Sequence, residues 1–141
     1  MSSQDTQKVA EQLRQEATVL QGKITQLRTT EEVRIRQFRQ EADAHRSKAM
    51  SEQAQGRMEV GVSEQQSAQE AESSAQSAQT NFDSQLASLQ AQLDRCNQQA
   101  QAADSKAQQE RTQEEAEARK KIEEENKDGV LDKLDKLNNI L

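Results

Sequence analysis

The chain has 141 residues, no Pro, Trp or Tyr and two Phe, with 31% hydrophobic and 31% charged residues. So little apolar material excludes a broad globular core and leaves a narrow seam between helices. The net charge of −6 argues against nucleic acid as the main partner. Disorder is the other state open to so polar a chain. The absence of Pro and the abundance of Ala, Glu, Gln and Arg as helix formers oppose it.

Ser2, Ser3 and Asp5 supply polar caps, so a first helix is predicted from about residue 4 to about residue 55. Its core-like positions are Thr6, Ala10, Leu13, Ala17, Leu20, Ile24, Leu27, Glu31, Ile35, Phe38, Ala42, His45 and Ala49. They step by alternating threes and fours, the coiled-coil period. One 4-4 step, Leu27–Glu31–Ile35, is a stutter. Thr29-Thr30-Glu31-Glu32 reads as a capping box on that stutter and permits a local break there.

Gly56-Arg57-Met58-Glu59-Val60-Gly61-Val62 is the best break in the chain and is assigned as the turn, about 56–62. Ser63-Glu64-Gln65-Gln66 is a capping box, so a second helix is predicted over about 63–127. Its stripe is Glu64, Ala68, Ala71, Ala75, Ala78, Phe82, Leu86, Leu89, Leu93, Cys96, Ala100, Ala103 and Ala107. It carries the same 4-4 irregularity at Ala78–Phe82–Leu86. Read backwards, its steps match those of the first stripe.

The sequence therefore predicts an all-α protein, an antiparallel coiled-coil helical hairpin over residues 1–127. Facing positions sum to 113: Leu27 meets Leu86, Ile24 meets Leu89, Leu20 meets Leu93, Ile35 meets Ala78 and Phe38 meets Ala75. In the Ile35–Ala78 and Phe38–Ala75 layers large faces small, as interdigitation requires. Glu31 falls opposite Phe82, a poor layer, with Arg28 and Arg34 near enough to draw its carboxylate to the edge. Charge agrees with this pairing. Residues 1–50 hold nine Lys/Arg against seven Asp/Glu, whereas residues 51–94 hold Arg57 against seven acids. Two other architectures use the same stripes: a parallel homodimer, and a chain disordered until a partner arrives.

Past residue 107 the first helix has run out of chain to face the second. Residues 108–127 form a polar overhang, and Asp128-Gly129 is a predicted stop. Residues 128–141 then form a short amphipathic tail helix. Val130, Leu134, Leu137 and Leu141 lie on one stripe, flanked by Leu131 and Ile140. So short a helix needs a surface to dock on. These six residues are the candidate partner-binding site for a groove on another protein; the alternatives are that the tail folds back on the hairpin or pairs with its copy in a homo-oligomer. The Lys and Asp of the tail balance and no aromatic anchor accompanies them, which argues against a membrane surface.

The remaining chemistry-bearing residues read more simply as structure. Cys96 is the single cysteine, which forbids an intrachain disulfide, and it falls on the seam stripe. His45 has no second histidine to join it as a metal ligand. Glu114–Glu115 and Glu123–Glu125 lack a loop to converge their oxygens on a cation. The arginines from Arg28 to Arg46 lack aromatic interleaving for bases and face the acidic helix instead. No residues form a catalytic, cofactor or metal constellation, so the expectation is a non-enzyme with no cofactor and no small-molecule substrate.

The start, MSSQDTQKVAEQ, lacks the apolar run of a signal peptide, and no stretch suits a membrane span. A cytoplasmic or nuclear site is expected. The expected role is a structural or scaffold coiled-coil subunit of a larger assembly, of a cytoskeletal or ciliary kind. The rivals are a regulatory adaptor that docks through its tail and a peripheral membrane protein. A single seam buries little, so self-association or incorporation in an assembly is expected to stabilise the chain.

Overall fold

The computed structural model describes residues 2–140, with the side chains of all but Asp128, Val130, Leu131, Asp132, Asn139 and Ile140. Two helices account for the fold, α1 over Ser3–Ala54 and α2 over Met58–Ile140. They pack against each other as an antiparallel hairpin. The period of three and four is what places the seam. Between residues 4 and 51 the non-exposed residues are the thirteen stripe positions of α1 and no others. All thirteen stripe positions of α2 are likewise buried or half-buried.

Ser2 caps α1. Its hydroxyl accepts the Asp5 N–H at 3.3 Å and donates to the Asp5 carboxylate at 2.9 Å. The helix then runs unbroken through Thr29-Thr30-Glu31-Glu32, so the break permitted there does not occur. Thr29 directs its hydroxyl back to the Thr25 carbonyl, 2.9 Å away, instead of capping a new helix.

The turn is tighter than the sequence suggested. It occupies residues 55–57 and not 56–62. Gly56 takes a left-handed φ of 81°, which a side chain disfavours. The Gly56 N–H donates to the Gln53 carbonyl at 3.1 Å and the Arg57 N–H to the Glu52 carbonyl at 2.9 Å. This is the glycine cap that reverses a helix in one residue. The Arg57 guanidinium clasps the Glu52 carboxylate across the cap. The second helix starts at Met58, five residues before the predicted capping box at Ser63. Gly61 thus lies inside α2 and serves a different purpose. A β-carbon there would meet Gln53 Cγ at 2.6 Å and the Ala49 carbonyl oxygen at 3.2 Å. Its lack of a side chain lets the helices close beside the turn.

The chain divides into two compact units, residues 16–95 and residues 1–15 with 96–141. In the turn-bearing unit the buried cluster is Ile35, Ala78 and Phe82, with Leu27, Phe38 and Leu86 packed against it. This is the region of the two stutters, and the layers agree with the predicted register. The Glu31 carboxylate, in the poor layer, stands 3.9 Å from Arg34. That guanidinium lies 5.6 Å from the centre of the Phe38 ring, within cation–π range. At the edges Arg46 pairs with both Asp43 and Glu72, and Lys48 Nζ lies 3.3 Å from Glu64.

In the other unit Ala10, Ala100 and Ala107 are buried, and Arg14 pairs with Asp104. The seam does not end at residue 107 as predicted. Two further carboxylates of α2 continue it and meet the N-terminus of α1. Ser3 donates its N–H to Glu114 Oε1 at 2.9 Å and its hydroxyl to Oε2 at 2.7 Å. Thr6 donates its hydroxyl to Glu110 at 3.0 Å. The reason is the row of N–H groups that every helix start leaves unpaired, together with the favourable placing of negative charge at that end. Nor does Asp128-Gly129 stop the helix. Gly129 has no left-handed φ and α2 passes through it to Ile140, so the tail is the end of α2 and not a separate helix.

The four glycines therefore divide by environment, and alanine substitution tests the division. A Cβ at Gly22 or Gly129 meets nothing within 4 Å. Gly22→Ala and Gly129→Ala raise helicity, and Gly22→Ala adds about 0.5–1 kcal/mol of stability. Gly56→Ala loses about 1–2 kcal/mol for its left-handed backbone, and Gly61→Ala also destabilises. Urea melts followed by circular dichroism give the four values. A neutral Gly61→Ala contradicts the close approach.

Candidate functional site

Beyond Glu114 the helix α2 has no seam to make. Every side chain described from residue 115 to residue 138 is exposed. A helix without tertiary packing must be supported along its own surface. The charges there suit that need. Glu115 and Arg119, Glu117 and Lys121, Arg119 and Glu123, Lys120 and Glu124, Lys121 and Glu125, and Glu123 and Lys127 all fall four residues apart. Such pairs contribute about 0.2–0.5 kcal/mol each.

The candidate partner-binding residues sit at the end of this unpaired stretch. Leu134 and Leu137 are described and stand 51% and 57% exposed on α2. Val130, Leu131 and Ile140 lie outside the described side chains, and Leu141 outside the described residues. Ile122, absent from the candidate set, is 57% exposed upstream of them. Its place as the one large apolar side chain in QQERTQEEAEARKKIEEENK is the available signal.

The other singled-out residues are placed as follows. Cys96 is half-buried at its stripe position. His45 reaches Glu64: its Nδ1 lies 2.6 Å from Glu64 Oε2. Glu64 also faces Lys48, and its side chain is 16% exposed. Hydrogen bonding from His45, aided by Lys48, holds the Glu64 carboxyl below the usual carboxylate range. At the other end the Ser3 N–H and hydroxyl do the same for Glu114. Among the described residues, no three His, Cys, Asp or Glu are grouped to hold a metal ion. Solvent-open grooves flank the stutter layer, one lined by Glu31, Arg34, Phe38, Ser77, Asn81 and Phe82, the other by Leu27, Thr30 and Leu89.

The sequence reading missed the Ser3–Glu114 and Thr6–Glu110 contacts. Their signal was present: Glu110 and Glu114 continue the step of three and four from Ala107. A first helix expected to begin at about residue 4 leaves nothing to face them past Ala107.

No protein-family model matches the chain, and comparison with curated proteins and with solved structures finds no match.

The lowered carboxyls give a pH dependence of stated sign. A carboxyl lowered by folding stabilises the fold above its ordinary pKa of about 4.3, and that stability is lost as pH falls through the folded value. The melting temperature therefore falls on acidification below about pH 4. Glu64→Gln with Glu114→Gln starts lower at neutral pH and falls less. An equal acid-side fall in variant and parent would show that these two groups are not responsible.

Proposed function

We propose that the chain is a non-catalytic scaffold subunit of a larger protein assembly, of which the cytoskeletal or ciliary kind is one candidate class. One observation carries the reading. The hairpin confines its apolar contacts to a single stripe, yet α2 runs on beyond Glu114 with Leu134 and Leu137 exposed. Helix with no seam of its own and leucines toward solvent suits a further protein surface. A protein partner or a second copy of the chain meets that need. No helix among the described residues is long and apolar enough to cross a membrane.

The adaptor reading rests on the same two leucines and differs in what depends on them. A chain lacking residues 129–141 separates the two. Sedimentation of a tagged chain in native extract is compared with that of the truncated chain. A scaffold sediments in an assembly and stays there after truncation, since its arms hold it. An adaptor leaves the assembly when truncated. A full chain that sediments alone, at the rate of a 15.9 kDa protein, removes the scaffold reading.

A further inference from the structure

We propose that the 4-4 steps of α1 and α2 are a matched pair that locks the hairpin in its register against a competing register one heptad away. The competitor can be written residue by residue. In the observed register Leu27 faces Leu86 and Ile35 faces Ala78, around the cluster with Phe82. A slip of one heptad places Leu27 against Leu93, Phe38 against Phe82, Ala42 against Ala78 and Ala49 against Ala71. Each of those layers is apolar on both sides. An alanine-rich stripe discriminates poorly between such registers, because neighbouring layers present similar small surfaces.

The chain also carries a turn for the slipped form. The slip moves the centre of the turn from Gly56–Arg57 to Val60. Gly61 lies beside that point, and the Ser63-x-x-Gln66 box follows as a helix start that the observed fold leaves unused. Each register thus has a glycine beside its turn centre, Gly56 for the observed fold and Gly61 for the slipped one. In the observed register Gly61 is spent instead on close approach to Ala49 and Gln53.

The stutters are what the slip cannot accommodate. Each shifts the phase of its stripe by half a heptad. In the observed register Leu27–Glu31–Ile35 lies opposite Leu86–Phe82–Ala78, so the two shifts coincide and the stripes stay opposed on both sides. Displaced by one heptad, the shifts fall at different levels and the seam between them is out of phase. Ile35, 4% exposed as observed, would then face Gln85, and Leu86 would face Arg34. Turn chemistry alone does not exclude the slip; loss of these two layers does. It also explains why the poor Glu31–Phe82 layer sits where it does: it is the layer added to both helices by the matched steps.

Cysteine cross-linking in a Cys96→Ser chain tests the lock. The pair Leu27→Cys with Leu86→Cys reports the observed register, and Leu27→Cys with Leu93→Cys reports the slip. Monomeric disulfide product is counted after oxidation at low protein concentration. Deleting residues 28–31 erases the step in α1; deleting residues 79–82 erases it in α2. Either deletion alone puts the stripes out of phase, so the melting temperature falls. Both deletions together restore phase, so the melting temperature rises above either single value. Every heptad register is then in phase, and the slip product rises severalfold over its level in the undeleted chain. The proposal is overturned if the double deletion melts no higher than the singles. It is overturned equally if the double deletion still links only through the observed pair, since the turn would then set the register unaided.

Discussion

Contact between two apolar stripes, each one residue wide per layer, is the interaction on which the fold rests. A chain with 31% hydrophobic residues has no second face to bury. Its leucines are half-buried and not enclosed: Leu13, Leu20, Leu27, Leu86, Leu89 and Leu93 keep an edge toward solvent. The fully covered positions are mostly alanines, with Ile24, Ile35 and Phe82 among them. That division follows from geometry. Two helices bring small side chains beneath the line of contact, while longer ones lean out along it. Close approach is then the main source of packing, and bulk at a contact point is harmful. Gly61 beside the turn is the extreme case.

Polar groups finish what so thin a seam cannot. Near the turn His45 and Lys48 hold Glu64 at the seam edge. At the stutter Arg34 serves Glu31 and lies over Phe38. At the start of α1 the carboxylates of Glu110 and Glu114 satisfy Thr6 and Ser3. In each place a carboxylate occupies or extends the stripe, and a donor on α1 keeps it from being buried unpaired. The seam tolerates acids because it is narrow: a side chain of glutamate length reaches the edge from any position in it.

Much of this was legible in the sequence, for a physical reason. Side-chain period is imposed by backbone geometry, so the stripe from Thr6 to Ala49 and that from Glu64 to Ala107 could be read without knowing what they touch. The mirror order of their steps gave the antiparallel pairing. What was misread were choices between local signals of similar strength. Gly56 and Gly61 both invite a turn, and only the helix contact at Ala49 and Gln53 decides between them. The box at Ser63 is a sound helix start that an earlier start at Met58 makes redundant. Asp128-Gly129 resembles a stop, but one glycine costs a helix about 1 kcal/mol and does not end it. Glu110 and Glu114 were missed for another reason: they satisfy the N-terminal end of α1, and a helix expected to begin only at about residue 4 offers nothing opposite them. Of the candidate site, Leu134 and Leu137 are seen exposed on α2, which runs on through Gly129.

The two parts of α2 are helical for different reasons, and this difference bears on the proposed function. Up to Glu114 the helix is held by α1, and its stripe is committed to that contact. From Glu115 onward it depends on charges spaced along its own surface, which hold no side chain against a partner. Along a stretch stabilised in that way every described side chain stays exposed up to residue 138, and the segment is already helical. The ordering entropy that a disordered segment would lose on binding is then already largely spent. Leu134 and Leu137 stand on this helix, so the partner proposed above would bury them without first folding the segment that carries them.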